Sequence, residues 1–162
     1  MAVLYKCSTV LNEDYVPMLV KEKISGKARK EELCNCLDNV LCLMRKYFQI
    51  GFLTEEHTYM LCLDSKNHIN GIFELSIGTV CNSLLGTREI FMKSLLAGAV
   101  GIIIVHNHPS GVADPSPADQ EVTKKIIQAG KLMDIPLLDH IIICENTHYS
   151  FREYEPELWD NI

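Results

Sequence analysis

Residues 101–109 read Gly-Ile-Ile-Ile-Val-His-Asn-His-Pro, and they set the architecture of the whole chain. The first five residues form an apolar run rich in β-branched side chains, which pack well on a pleated strand. An apolar run without polar alternation is typical of a strand that is buried on both faces. The sequence therefore predicts a buried central strand over 101–105 and a loop over 107–115, with His106 and His108 where the strand passes into the loop.

The next helix is marked by its first residues, Ser-Pro-Ala-Asp at 116–119. Serine is a favoured N-cap and proline is favoured at the first helical position, so this order predicts a helix start. The helix is predicted to run to about Leu132. Beyond it, apolar runs predict a strand over 137–144 and a last strand over 148–151.

An antiparallel hairpin is predicted upstream of the central strand. Residues 58–64 and 69–77 have strand-like patterns and are joined by the polar turn Ser-Lys-Asn-His at 65–68. In the second segment apolar residues alternate with polar ones, which is the pattern of a strand with one buried face.

Two further helices are predicted from apolar spacing and from stop signals. Between residues 31 and 48, apolar residues recur at steps of three and four and so form one stripe along a helix, with Gly51 as its stop. Thr87 is predicted to cap a helix over 88–97 that Gly98 ends.

The ends of the chain carry weaker patterns. Within an N-terminal extension over 1–30, residues 16–20 predict a short strand and 25–30 an exposed connection, while 153–162 are predicted to be a polar C-terminal tail. The main domain is expected over 31–152. Helices and strands alternate around a single mixed sheet, so the predicted class is α/β, with α+β left open.

Composition limits the function classes. The 162 residues suffice for one well-buried domain, and the net charge of −6 disfavours binding to nucleic acid, which attracts basic surfaces. The longest apolar stretch, 95–105, falls short of the ~20 residues of a membrane span, and no secretory signal is visible, so a cytoplasmic location is expected. The seven cysteines are scattered without a C-x-x-C pair, and we assign them no chemical role.

The segment after the central strand combines three residues of metal-ligating types. Residues at i and i+2 of a strand point to the same face, so His106 and His108 can offer both imidazoles to one point. Asp119 adds a carboxylate from the first turn of the next helix, eleven residues after His108. Two histidines and one carboxylate are a ligand set of catalytic zinc sites, which keep a fourth position open for water. The pattern therefore predicts one Zn²⁺ per chain, held by these three residues.

The same residues carry a family resemblance. The order His-x-His, seven residues, Ser-x-x-Asp resembles the JAMM motif of the JAB/MPN-type metalloproteases. More closely, the chain resembles the RadC family over roughly residues 56–152. The similar stretches are Leu-Asp-Ser-Lys-Asn at 63–67, Ser-Ile-Gly-Thr at 76–79, Arg-Glu-Ile-Phe at 88–91, His-Asn-His-Pro-Ser-Gly at 106–111, Pro-Ser-Pro-Ala-Asp at 115–119 and Leu-Asp-His-Ile-Ile-Ile at 138–143.

The resemblance implies a JAB/MPN fold, which is similar to that of cytidine deaminases, and a hydrolase of peptide or isopeptide bonds. In the wider family a glutamate at the start of an early strand acts as general base, and Glu56 matches that position. Glu55 would point to the opposite face, and Glu74, on the polar face of the next strand, is the rival for the role. The resemblance further implies that the Ser116 hydroxyl hydrogen-bonds the oxyanion of the reaction.

Asp139 and His140 begin a predicted strand and admit two interpretations. We favour a buried, hydrogen-bonded pair that supports the sheet. In the alternative, the two residues orient a ligand histidine from behind.

Other function classes stay open. The RadC resemblance carries an association with DNA repair, so the alternative to a hydrolase is a factor that binds DNA or a DNA-bound partner without peptidase activity. A nuclease is disfavoured because such sites commonly hold two metals between several carboxylates. An inactive scaffold is disfavoured because it does not need the motif residues together. The expected partner is a peptide or protein substrate and no membrane, with a homo-oligomer left open.

Overall fold

The computed structural model describes residues 3–24, 34, 36–78 and 86–160, and within them seven strands form one mixed sheet flanked by helices. The mixed α/β class predicted from the sequence is confirmed. The strand order across the sheet is β2-β1-β4-β3-β5-β6-β7. The elements are β1 Tyr5–Leu11, β2 Pro17–Lys23, α1 Leu37–Phe48, β3 His57–Leu63, β4 Ile69–Ile77, α2 Thr87–Leu96, β5 Gly101–Asn107, α3 Pro117–Leu132, β6 Leu137–Ile143, β7 His148–Ser150, α4 Phe151–Tyr154 and α5 Glu157–Asp160.

The middle of the sheet is built around β5, all seven residues of which are buried. It pairs antiparallel with β3 and parallel with β6, and α3 makes the crossover between the two parallel strands. β3 also pairs antiparallel with β4, which confirms the predicted hairpin. The register places Thr58 opposite His106, so the beginning of β3 lies beside the end of β5.

Two hydrophobic clusters cover the two faces of this sheet. On one face, α1 packs against alternate strand residues such as Leu61 and Val105. On the other face, α2 and α3 pack against their neighbours Met60 and Ile104. Because both faces of β5 are covered, its sequence is apolar without alternation.

The starts of two helices differ from those expected from the sequence. The N-cap of α2 is Gly86, without a side-chain cap bond, so the prediction that Thr87 caps this helix is wrong; Thr87 is its first residue. Gly98 follows the helix with φ +65, a left-handed conformation that glycine adopts at little cost, and it ends the helix as predicted. The helix predicted over 31–48 begins only at Leu37, because Cys36 is its N-cap and has the extended dihedral angles φ −149° and ψ 160°.

The N-terminal strands are longer than the sequence suggests. β2 extends to Lys23. β1 was not predicted from the sequence, and it pairs antiparallel with β2 and parallel with β4. Most of β1 and β2 is exposed, so their side chains show little of the apolar alternation that marks a strand. The connection expected over 25–30 lies outside the described residues.

The C-terminal residues fold back on the sheet. The last strand ends at Ser150, whose hydroxyl accepts a hydrogen bond from Glu153 N and caps α4. In α5, Trp159 Nε1 donates to the carbonyl oxygen of Leu137 at 2.7 Å. None of the helices described here combines the length and apolar character that a membrane crossing requires.

Candidate metal centre

Four metal-ligating side chains converge where β5 ends, β3 begins and α3 begins. Glu56 immediately precedes β3, His106 and His108 stand at and just past the end of β5, and Asp119 lies in the first turn of α3. One ligand atom from each of the four residues lies within 4.8 Å of every other. The antiparallel register of β3 and β5 brings Glu56 to this edge although it is fifty residues away from His106.

The spacing of the atoms fits a tetrahedral cation. His106 Nε2 lies 3.1 Å from His108 Nε2 and 3.3 Å from Asp119 Oδ1, and His108 Nε2 lies 3.6 Å from Asp119 Oδ2. Ligands about 2.0–2.1 Å from a zinc ion and tetrahedrally arranged are separated by about 3.3 Å. Glu56 Oε1 is farther, 3.9 Å from His106 Nε2. The three predicted ligands therefore match one coordination sphere, with the glutamate beside it.

Asp119 is held in place by a capping box at the start of α3. The Ser116 hydroxyl accepts a hydrogen bond from Asp119 N and donates to Asp119 Oδ2 at 2.6 Å, while Ser116 N donates to the same carboxylate oxygen at 2.8 Å. Only 2% of the Asp119 side chain is exposed. The helix N-terminus repels a cation, but the Asp119 carboxylate supplies a compensating negative charge at that end of α3.

Electrostatics favour a shared proton or a cation between these groups. Burial alone would raise the pKa of Asp119, but the neighbouring histidines and Ser116 outweigh it and hold the pKa well below the ordinary range. The Asp119 carboxylate in turn raises the pKa of His108 against the opposing effect of burial. A divalent cation takes the place of the proton at such a site, because its ligands bind in their deprotonated forms.

Glu56 lies beside the three predicted ligands, whereas the two rival glutamates, Glu55 and Glu74, do not belong to this group. Glu56 belongs to the group of residues whose ligand atoms lie within 4.8 Å of one another, and Glu55 is not a member of that group. Glu74 lies on the face of the sheet opposite to His106, because its carboxylate accepts hydrogen bonds from His57 Nδ1 and Tyr59 OH at 2.9 and 2.8 Å. The Glu56 side chain is 20% exposed, so it remains open to solvent.

His140 stands directly behind His106. Its Nε2 is 2.9 Å from His106 Nδ1, and its Nδ1 is 2.6 Å from Thr123 Oγ1. Complete burial lowers the pKa of His140 well below the ordinary value, which favours the neutral imidazole. Asp139 points the other way and accepts hydrogen bonds from Ser150 Oγ and Arg152 N. The two side chains therefore bond to different partners and not to each other, and only His140 has the position that the alternative interpretation requires.

Sequence reasoning missed two residues at this site. Thr123 follows Asp119 by four positions on α3, a spacing that puts both on one helix face and that offered a usable signal. Asn107 separates the two histidines, and its amide binds the backbone of Glu55 and His57 on the far face of the sheet. No pattern in the sequence identifies those backbone partners.

The chain is similar in sequence to a known domain family and to several curated proteins. A protein-family model described as a RadC-like JAB domain matches residues 21–156. A UPF0758 protein of Thermotoga maritima is 35% identical over 123 residues, which are 76% of this chain and 55% of the relative. UPF0758 proteins of Chlorobium phaeovibrioides and Flavobacterium johnsoniae are 47% and 42% identical over 100 and 102 residues, which are 62% and 63% of this chain and 45% and 44% of theirs. The chain thus spans about half the length of the curated relatives it matches.

Proposed function

Because the chain belongs to the family of RadC-like JAB domains, we propose that it is a zinc-dependent hydrolase of peptide or isopeptide bonds. The observation that carries the proposal is the convergence of Glu56, His106, His108 and Asp119 within 4.8 Å. Two imidazoles and one carboxylate match the donors that catalytic zinc prefers, and the position of Glu56 beside them supports a role in proton transfer.

Each residue of the group has a distinct part in the proposed reaction. His106, His108 and Asp119 would hold Zn²⁺, and the ion would supply a Lewis acid able to polarise a carbonyl group and to lower the pKa of water. Glu56 accepts a proton from the attacking water and later delivers it to the leaving amine. The partial exposure of the Glu56 side chain supports this role, because the carboxylate must reach both water and substrate.

Ser116 remains a predicted oxyanion donor. Its hydroxyl proton now points to Asp119 Oδ2 at 2.6 Å, so donation to an oxyanion requires the hydroxyl to rotate away from the carboxylate. The hydrogen bonds between Ser116 and Asp119 support a second role for Ser116, the orientation of a proposed metal ligand.

The test joins metal content to bond cleavage. Purified protein is analysed for zinc by elemental mass spectrometry and then incubated with a peptide library that contains lysine isopeptide branches; new amines are identified by mass spectrometry. We expect one zinc per chain and cleavage that Glu56→Gln lowers by about 10²–10⁴-fold while zinc stays bound. Glu74→Gln is the matched control, since it makes the same change on the opposite face, and should cleave like the wild type. Cleavage by Glu56→Gln at the wild-type rate, or absence of zinc from the wild type, contradicts the proposal.

A further inference from the structure

A chain of buried hydrogen bonds behind His106 plays no part in the proposed reaction. It runs from His106 Nδ1 to His140 Nε2 at 2.9 Å, from His140 Nδ1 to Thr123 Oγ1 at 2.6 Å, and from Thr123 Oγ1 to the carbonyl oxygen of Asp119 at 2.5 Å. His140 and Thr123 are 1% and 0% exposed. This series of hydrogen bonds connects three elements, because its members lie on β5, β6 and α3.

The chemistry at its far end sets the direction of every bond. The carbonyl oxygen of Asp119 can only accept, so the single hydroxyl proton of Thr123 points there. Toward His140 the hydroxyl then acts as acceptor, and His140 Nδ1 must carry a proton. A neutral imidazole has one donor and one acceptor nitrogen, which leaves a lone pair on His140 Nε2. His106 Nδ1 therefore donates to it.

The result at the metal site is a free lone pair on His106 Nε2. His108 reaches the same form independently, because its Nδ1 lies 2.8 Å from the carbonyl oxygen of Val112 and has to donate there. When both imidazoles are neutral, two lone pairs face each other across the 3.1 Å between the two Nε2 atoms. A cation bound between them converts this repulsion into attraction.

We propose that Thr123 and His140 are positioning residues that lock His106 in its Nδ1-protonated tautomer, the neutral form in which Nε2 can ligate a metal. The proposal rests on the proposed metal site and extends it beyond the ligands. A hydrogen-bond acceptor behind a ligand histidine fixes its ring and its tautomer, and here the acceptor is a neutral imidazole. Thr123 lies one helical turn after Asp119, so α3 supplies both a ligand and the end of the lock.

The tautomers can be read directly by long-range ¹H–¹⁵N correlation spectroscopy of the zinc-stripped full chain at mildly alkaline pH. In the wild type we expect His106 and His140 both protonated on Nδ1. Thr123→Val removes the hydroxyl with little change in shape, so His140 is free to carry its proton on Nε2 and to turn His106 to the Nε2-protonated form. His106 found with its proton on Nε2 in the wild type would overturn the lock.

Zinc affinity supplies the second readout, measured by competition with a chelator of known strength. Thr123→Val and His140→Leu should weaken zinc binding about 10–100-fold. His140→Gln should restore much of the affinity, because its amide oxygen can accept at the place of Nε2. Ser94→Ala is the control, since Ser94 is an equally buried hydroxyl that bonds Ile90 O, away from the site, and should bind zinc like the wild type.

The outcomes separate this proposal from the proposed function. Wild-type affinity in Thr123→Val and His140→Leu overturns the lock and leaves the hydrolase standing, whereas a wild type that binds no zinc defeats both. Thermal unfolding of the zinc-stripped variants identifies any that fail to fold. If His140→Leu is among them, Thr123→Val alone decides the question.

Discussion

At the scale of single residues, Asn107 serves the site from the opposite face of the sheet. Its Oδ1 accepts from His57 N at 2.8 Å and its Nδ2 donates to the carbonyl oxygen of Glu55 at 2.9 Å. These bonds clamp the backbone on both sides of Glu56. One residue of β5 thus connects the proposed metal ligands beside it to the segment that carries the proposed general base.

Asn107→Leu should lower the free energy of unfolding by about 2–3 kcal/mol. Asn107 is only 1% exposed, and its replacement leaves the backbone donor of His57 and the backbone acceptor of Glu55 without their partner. Urea unfolding of the zinc-stripped protein measures the loss. Asn70→Leu is the control, since the Asn70 side chain bonds Gly98 O at an exposed position and its replacement should have little effect. Equal losses in the two variants would contradict the clamp.

Glu74 predicts a pH-dependent contribution to stability. Burial alone would raise its pKa, but hydrogen bonds from His57, Lys6 and Tyr59 outweigh burial and lower the pKa below the ordinary value of 4.5. A lowered carboxyl pKa adds stability at pH values above the unfolded-state pKa, and this stability is lost as the pH falls through the folded-state pKa. Glu74→Gln should therefore destabilise by about 1 kcal/mol at neutral pH and progressively less below pH 4.5.

Urea unfolding at several pH values checks the Glu74 prediction. Glu121→Gln provides the comparison, since the ion pair of Glu121 with Lys125 is exposed and its loss should hardly move the unfolding midpoint. A Glu74→Gln loss that stays constant from neutral to acid pH argues against the assigned cause.

At the scale of the elements, the parts that sequence reasoning predicted best are those with local signals. The β-branched run of β5 and the Ser-Pro start of α3 each specify their own structure, and both elements lie where they were expected. The two histidines and Asp119 follow from these elements, so three site residues could be placed from the sequence. β1 lacked such a signal, because pairing with β2 and β4 rather than its own pattern makes it a strand.

The contacts of His140 could not be derived from local patterns. The residue lies on β6, and its position behind His106 depends on the parallel register of β5 and β6, which pairs Ile104 with His140. Whether a side chain at that register meets the neighbouring imidazole or a helix depends on packing across the whole sheet. Local spacing contains no such information.

Gly130 shows where packing outweighs helix propensity. It lies in α3, and a Cβ built there would be 2.6 Å from Ile135 O and 3.3 Å from Leu137 N. Alanine is the better helix former by about 1 kcal/mol. We nevertheless expect Gly130→Ala to destabilise by about 1–3 kcal/mol, because the helix must move away from the backbone that leads into β6.

Thermal unfolding and urea titration measure the effect of Gly130→Ala. Gln128→Ala changes an exposed position of the same helix and should be neutral or slightly stabilising. A stabilised Gly130→Ala variant would mean that α3 tolerates the added methyl group and that its close approach to the following strand is not required.

At the scale of the whole molecule, the candidate site brings together residues at the ends of three separate elements, β3, β5 and α3. His106 lies near the end of β5, Asp119 lies in the first turn of α3, and Glu56 immediately precedes β3. A cation shared by ligands from β5 and α3 binds the folded chain far better than the unfolded one, where the ligands are not assembled. Metal binding must therefore appear as added stability of the entire domain.

The size of that added stability follows from mass action. At a free zinc concentration of about 100 times the dissociation constant, the gain is about 2.7 kcal/mol. For a domain of this length each kcal/mol raises the midpoint by about 2–4 °C, so we expect zinc to raise it by about 5–10 °C and a chelator to reverse the rise. His106→Ala should abolish the shift, whereas His68→Ala, which changes an exposed histidine outside the site, should keep it. If zinc still raised the unfolding midpoint of His106→Ala, the stabilising zinc would bind elsewhere. The removal of one of the three proposed ligands leaves the coordination sphere at the end of β5 incomplete.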